Sequence, residues 1–242
     1  MECFIRKLLT LCLILFTLNS WAGTSQLIVI DCPIGEGKAV GKTRTSYSQF
    51  NTGLDFLPIG PGAFPVPPPE CEENGFFVYK KNFSKDEVKK LENFIFSDDY
   101  QNLVKNENVS SFFKLAKIYE YMEYPILDYY DLYLVDIWKF GKVENSEEYK
   151  KTANQIISKY EKVIVTIGLY PDTSKHLVYI NYLLAELYRR TGEFEKAAEK
   201  IKWASKNNYN DLDKDFIDFQ RYLINKKNSK FYKIRQKKEI MN

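Results

Sequence analysis

The side chains of this sequence that could carry chemistry are few. Cysteine stands at positions 3, 12, 32 and 71, and His176 is the one histidine. A structural metal ion asks for four Cys, His or carboxylate ligands, so this donor set favours a disulfide over a metal site. Gly41-Lys42-Thr43, shortly after the apolar residues 27–30, approaches a phosphate-binding loop, in which backbone amides cradle phosphate while the Lys pairs with it. The spacing misses by one residue: the first glycine belongs at Glu36, between Gly35 and Gly37, and residues 44–50 lack an apolar helical period. Asp128 and Asp131 share a helical face with Asp136 further on, a spacing that could serve acid–base work or calcium but is much more often a solvated stripe. His176 follows Asp172 and Ser174 with no serine motif to complete a triad. These patterns name no nucleophile, cofactor or metal site, and they point away from an enzyme; a hydrolase would need carboxylates that converge only in three dimensions.

The chain has 242 residues, 45% hydrophobic and 28% charged, enough for one or two buried cores. A formal charge of +3, from 35 basic and 32 acidic side chains, is too near balance to imply nucleic acid as a partner. Arg6-Lys7, an apolar run over residues 8–18 and then Ser20-Trp21-Ala22 have the form of a signal peptide over residues 1–22. The run is about half the roughly 20 residues of a spanning helix, which favours export to the periplasm or beyond the cell. Cleavage removes Cys3 and Cys12 and leaves Cys32 and Cys71. Disulfides persist in oxidising compartments, and a Cys32–Cys71 bridge closing a loop of about 40 residues contributes roughly 3–4 kcal/mol in the chain-entropy view.

The elements that must position these residues fall into two regions. Residues 24–83 carry Gly35, Gly37, Gly41, Gly53, Gly60, Gly62 and the run Pro65-Val66-Pro67-Pro68-Pro69, which break any helical period. They predict a small loop/β module, with residues 27–30 and 76–79 as strands beside the two cysteines. Residues 84–242 are helical in pattern. Ser84 and Glu87 form a capping box, and Val88, Leu91, Phe94 and Ile95 share one face of a first helix reaching about Ser97. Further helices are expected over 111–122, 125–140, 146–168, 177–190 and 194–205. The 125–140 helix is apolar around much of its circumference, with Ile126, Leu127, Tyr130, Leu134, Ile137 and Trp138, so it belongs near the centre of a bundle.

Leu184, Ala185, Tyr188, Gly192, Phe194, Ala197, Ile201 and Ala204 sit at the spacings of a tetratricopeptide repeat, with Tyr149 to Ile167 as at most a weaker relative. The chain as a whole resembles an uncharacterised bacterial family, a domain of unknown function in which a paired-cysteine, zinc-ribbon-like module precedes a tetratricopeptide-like helical region. Cys32-Pro33-Ile34-Gly35 is similar to that family's CPxC pair with its second cysteine replaced by Gly35, and Cys71-Glu72-Glu73-Asn74-Gly75 to its CxxCG pair with Asn74 in place of the second cysteine. The cysteine pair and the resemblance together predict a mainly α protein: a disulfide-linked loop/β module followed by a tetratricopeptide-like domain.

Repeats of this kind present the first helix of each pair on a concave face. Here that face would expose Tyr179, Tyr182, Glu186 and Arg189 to a protein partner. At the C-terminus, Asp211, Asp213, Asp215 and Asp218 precede a basic stretch that includes Lys226, Lys230, Lys233, Arg235 and Lys237. The order suits a helix dipole; it also suits contact with anionic lipid, Phe231, Tyr232 and Ile234 adding apolar contacts. The expectation is therefore an exported, non-enzymatic binding or scaffold protein, with an envelope protein touching membrane through its tail as the alternative.

Overall fold

A computed structural model describes residues 25–46, 48–60, 65–140, 146–168, 174–208 and 212–241. The expected signal peptide, residues 1–22, lies outside them. Strand β1 (Ser25–Asp31) pairs antiparallel with β2 (Lys38–Arg44), from Ser25 opposite Arg44 to Asp31 opposite Lys38. A short hairpin, β3 (Asn51–Thr52) and β4 (Pro58–Ile59), follows, and β5 (Glu70–Cys71) then joins the free side of β2, giving the order β1-β2-β5. The β1–β2 turn uses Gly35 and Gly37 at φ +77° and +90°, where other residues are strained. The disulfide Cys32–Cys71, with Cα atoms 5.7 Å apart, ties this turn to β5.

The strand partner of β1 differs from expectation. Residues 76–79 form no named strand; they run beside β5 through a bridge from Phe77 to Glu70, with Cys71 N–H donating to Phe76 O at 2.7 Å and Val78 N–H to Pro69 O at 2.8 Å, while β2 takes the long side of β1. Its sequence, KAVGKTR, hides a strand among charged and small residues because half of its side chains face water. Gly41-Lys42-Thr43 thus runs along a strand, not a phosphate loop. Gly41 is needed there because a Cβ would come within 2.7 Å of the Pro69 Cα.

The helices begin where the caps predict. In α1 (Lys85–Ile95), Ser84 and Glu87 form the reciprocal capping box. A short helix the period did not reveal, α2 (Asp98–Lys105), starts at Ser97 with Asp98 and Asp99 in its first turn; it buries Tyr100 alone, too little to write a period. After α3 (Ser111–Tyr121), the expected 125–140 helix opens as a 3-10 turn, Ile126–Asp128, and breaks at Tyr129 (φ −141°) before α4 (Tyr130–Trp138). Then come α5 (Glu147–Ile167), α6 (Ser174–Thr191) and α7 (Phe194–Asn207). Gly192 at φ +89° ends α6, and Glu193 N–H donates to Tyr188 O at 2.8 Å, closing the turn of the expected α6–α7 hairpin. The chain finishes with α8 (Lys214–Asn225), a 3-10 turn Ile234–Gln236 and α9 (Lys237–Met241). The final helical stretch is therefore interrupted, with Lys227 at φ +49° at the break.

The main apolar core joins α3 to α8 around α6, burying Tyr130, Leu134, Tyr160, Leu183 and Ile201. A second core crosses the boundary expected at residue 83: Cys32, Ile34, Cys71, Phe76 and Phe77 pack with Leu91, Ile95, Tyr100 and Ile118. The stapled module thus completes its core with α1 to α3. A third cluster sets Leu54 against Phe219 and Leu223. No helix among the described residues is long and apolar enough to cross a membrane.

Candidate functional site

The helical face expected to bind a partner is filled by the chain itself. Tyr182, Glu186 and Arg189 are fully buried, and Tyr179 is half-buried. The loop Leu54-Asp55-Phe56 lies over them. Leu54 O accepts from the Tyr182 hydroxyl at 2.8 Å, and Phe56, held at φ +61°, stacks on Tyr179 with ring centres 4.9 Å apart. Trp138 secures the loop by donating Nε1–H to Asp55 O at 3.0 Å. From the other side the C-terminal segment closes in: Arg189 donates to the carbonyls of Asn228 and Lys230, the latter at 2.9 Å, as well as to Glu186 at 2.9 and 2.6 Å. Gln220 of α8 adds a bond to Glu186 at 3.1 Å. The concave groove of Tyr179, Tyr182, Glu186 and Arg189 is accordingly corrected to a packed seam. The sequence pattern shows which face of α6 carries these residues; which segments cover that face depends on contacts with positions more than a hundred residues away.

Charge in this seam is paired throughout. Asp55 meets Arg190 at 3.4 Å, both side chains within 2% of full burial. Burial pushes the Asp55 carboxyl up to about 6; Arg190 opposes that rise and Glu186 reinforces it. The Arg190 guanidinium also lies 4.1 Å above the Tyr149 ring and 5.3 Å from Phe231. Gly53 has no room for a Cβ, which would fall 2.3 Å from Asp55 Oδ1.

The other residues singled out from sequence are dispersed. Asp128 and Asp131 face solvent, whereas Asp136 is buried and pairs with Lys139 at 3.3 Å, so the three carboxylates form no common site. His176 stands edge-on to Tyr130 at 6.4 Å. In the basic tail, Lys226, Lys230 and Arg235 are exposed, Lys233 is half-buried, and Lys237 pairs with Asp215 at 2.6 Å. Its apolar residues turn inward: Phe231 covers Gly53, Tyr232 packs on Phe219 at 5.7 Å, and Ile234 joins the Leu54 cluster. These contacts help to hold the seam shut.

At the staple, Gly35 and Asn74 come together. Asn74 Nδ2 donates to Ile34 O at 2.7 Å, and a Cβ on Gly35 would lie 3.2 Å from that same nitrogen. Two cysteines joined in a disulfide, a glycine and an amide do not fit a zinc ion, which needs thiolates or imidazoles at such positions.

The surface that pattern reasoning missed is the outer edge of β1. The strand lies at the end of the sheet, and its apolar side chains are open to water: Leu27 is 67% exposed, Val29 53% and Ile30 37%. Beside it a groove of about 500 Å³ is lined by Ile28, Ile30, Pro33, Pro69, Val78, Tyr79 and Phe83. Sequence carried one signal for it. Residues 27–30 are apolar without alternation, the pattern of a strand covered on both faces, yet among the described residues Leu27, Val29 and Ile30 stand exposed and only Ile28 is half-buried. Compared with family models, with curated proteins and with solved structures, the chain finds no match.

Proposed function

We propose that this is an exported interaction protein that acts by binding another polypeptide, and that the edge of β1 with its adjoining groove is the binding surface. The observation that carries the reading is a seven-residue edge strand whose backbone is, among the described residues, unpaired on one side and whose apolar side chains stand in water. Protected edges carry Lys, Pro or a bulge; β1 has none of these. An edge of this kind accepts an added strand, main-chain hydrogen bonds supplying affinity and side-chain pockets specificity. Export to the periplasm or beyond the cell is supported by the signal-like residues 1–22 and by a disulfide suited to an oxidising compartment. The resemblance to the paired-cysteine family is supported by the convergence of Cys32, Gly35, Cys71 and Asn74.

A photo-crosslinking side chain at position 29, installed in the full chain in its own compartment, tests this. Attachment to a polypeptide is expected from position 29 and not from the exposed Glu199 of α7. Equal yields from the two positions would overturn the reading.

A further inference from the structure

We propose that the strand seated on β1 is the β1 of a second copy of this chain, the two running antiparallel about a two-fold axis at Ile28 to make one continuous sheet. The proposal rests on the reading of β1 as the interaction surface and names its occupant.

The backbone phase carries the argument. Cys32 N–H donates to Gly37 O at 3.1 Å, and Glu72 N–H donates to Lys38 O at 3.1 Å. In an antiparallel ladder, hydrogen-bonded pairs recur at every second residue. Gln26, Ile28 and Ile30 therefore turn their N–H and C=O groups toward β2, while Ser25, Leu27, Val29 and Asp31 turn theirs outward. A two-fold axis at Ile28 brings Leu27 opposite the partner's Val29 and Ser25 opposite the partner's Asp31. Every outward-facing residue of β1 then meets another outward-facing residue. Moving the register by one residue would set outward groups against inward ones.

Side chains and charge fit the same register. On one face the row runs Val40, Val29 and then the partner's Leu27, because Val40 is the cross-strand neighbour of Val29; the two-fold repeats the row and covers the most exposed apolar residues. On the other face Ile28 meets the partner's Ile28 between two Gly41 residues, merging the two grooves. Asp31 is the only charged residue of β1 and already pairs with Lys38. The axis puts the two Asp31 side chains at opposite ends, each facing a serine whose β2 neighbour is Arg44. No like charges are opposed. Such self-complementarity is what an isologous interface requires.

Sedimentation velocity of the oxidised mature chain across a concentration series tests the proposal. A monomer–dimer equilibrium is expected, with Val29→Lys raising its dissociation constant at least about tenfold while leaving the melting temperature of the monomer in place. Ile28→Cys tests the register: a non-hydrogen-bonded antiparallel pair sets Cα atoms about 4.5 Å apart, within disulfide reach, so mild oxidation should link two chains. Gln26→Cys, facing the partner's Ile30, should not. A dimer that ignores Val29→Lys and gives no Ile28→Cys bridge would overturn the proposal. So would a chain monomeric at every concentration. If that monomer still crosslinks from position 29 to a different polypeptide, β1 remains an interaction surface and only self-pairing falls; if it crosslinks to nothing, both readings fall.

Discussion

The edge of β1 and the seam over α6 reverse the usual placing of side chains. At β1, Leu27, Val29 and Ile30 stand in water; in the seam, Asp55, Glu186, Arg189 and Arg190 are buried almost completely. Hydrophobicity alone does not sort them. A charged group can be buried where a partner and hydrogen bonds replace its water, and Glu186 has Arg189 and Gln220 to do so. An apolar group stays exposed where the fold supplies no neighbour, and the sheet ends at β1. The seam is closed from within by the chain's own loop and tail, whereas no described segment covers the edge of β1.

The comparison can be broken most sharply at Arg189. Truncation by Arg189→Ala leaves Glu186 buried without its cation and two tail carbonyls without a donor, and should cost about 3–5 kcal/mol, read as a drop in denaturant midpoint. Survival of Arg189→Ala with little loss would mean that the seam is open to water. Opening the staple comes next. Cys32→Ser with Cys71→Ser should lower stability by roughly 3–4 kcal/mol, and amide exchange should rise first in β1, β2 and β5, whose core with α1 to α3 is small.

A smaller effect follows from Asp55, which faces Arg190, Glu186 and, further off, Tyr149. Its carboxyl titrates near 6 in the fold against 3.8 as the reference value, so the folded state holds this proton more tightly than the unfolded chain. The stabilising contribution is complete below about pH 4 and is lost as pH rises through about 6, a change of about 2–3 kcal/mol. Asp55→Asn should flatten that slope in a series of chemical denaturations across about pH 4 to 7; an unchanged slope would place the proton elsewhere. The smallest effect belongs to the edge. Val29→Lys should shift the stability of the monomer by no more than about 0.5 kcal/mol, because that side chain has no core to leave. A large loss there would show that β1 is packed rather than presented.

Much of the fold was legible because its signals are local. Ser84 and Glu87 cap α1 as their spacing implies, Ser146 caps α5, and Gly192 turns α6 into α7. The cysteine pair was legible as well, once residues 1–22 were set aside. Strand β2 was not, since the exposed Lys38 and Lys42 and the half-buried Arg44 stand with Gly41 among its few apolar residues and mask the alternation. Tyr129 broke the expected 125–140 helix although no Gly or Pro marks the place. The expected groove failed for a related reason. Tyr179, Tyr182, Glu186 and Arg189 lie on one face of α6 as their spacing requires, but the chemistry of that face is equally suited to a partner protein and to the protein's own Leu54-Asp55-Phe56.

By itself the sequence determined the helical content, the caps, the disulfide partners and the identity of the side chains on each helix face, because these follow from periods, spacing and composition along a few neighbouring residues. Only the tertiary structure decided which faces are covered. Coverage depends on segments far apart in the chain, a loop at 54–56 meeting a helix at 179–190 and a tail at 228–234, and the absence of any such segment beside β1 among the described residues is what leaves its edge exposed.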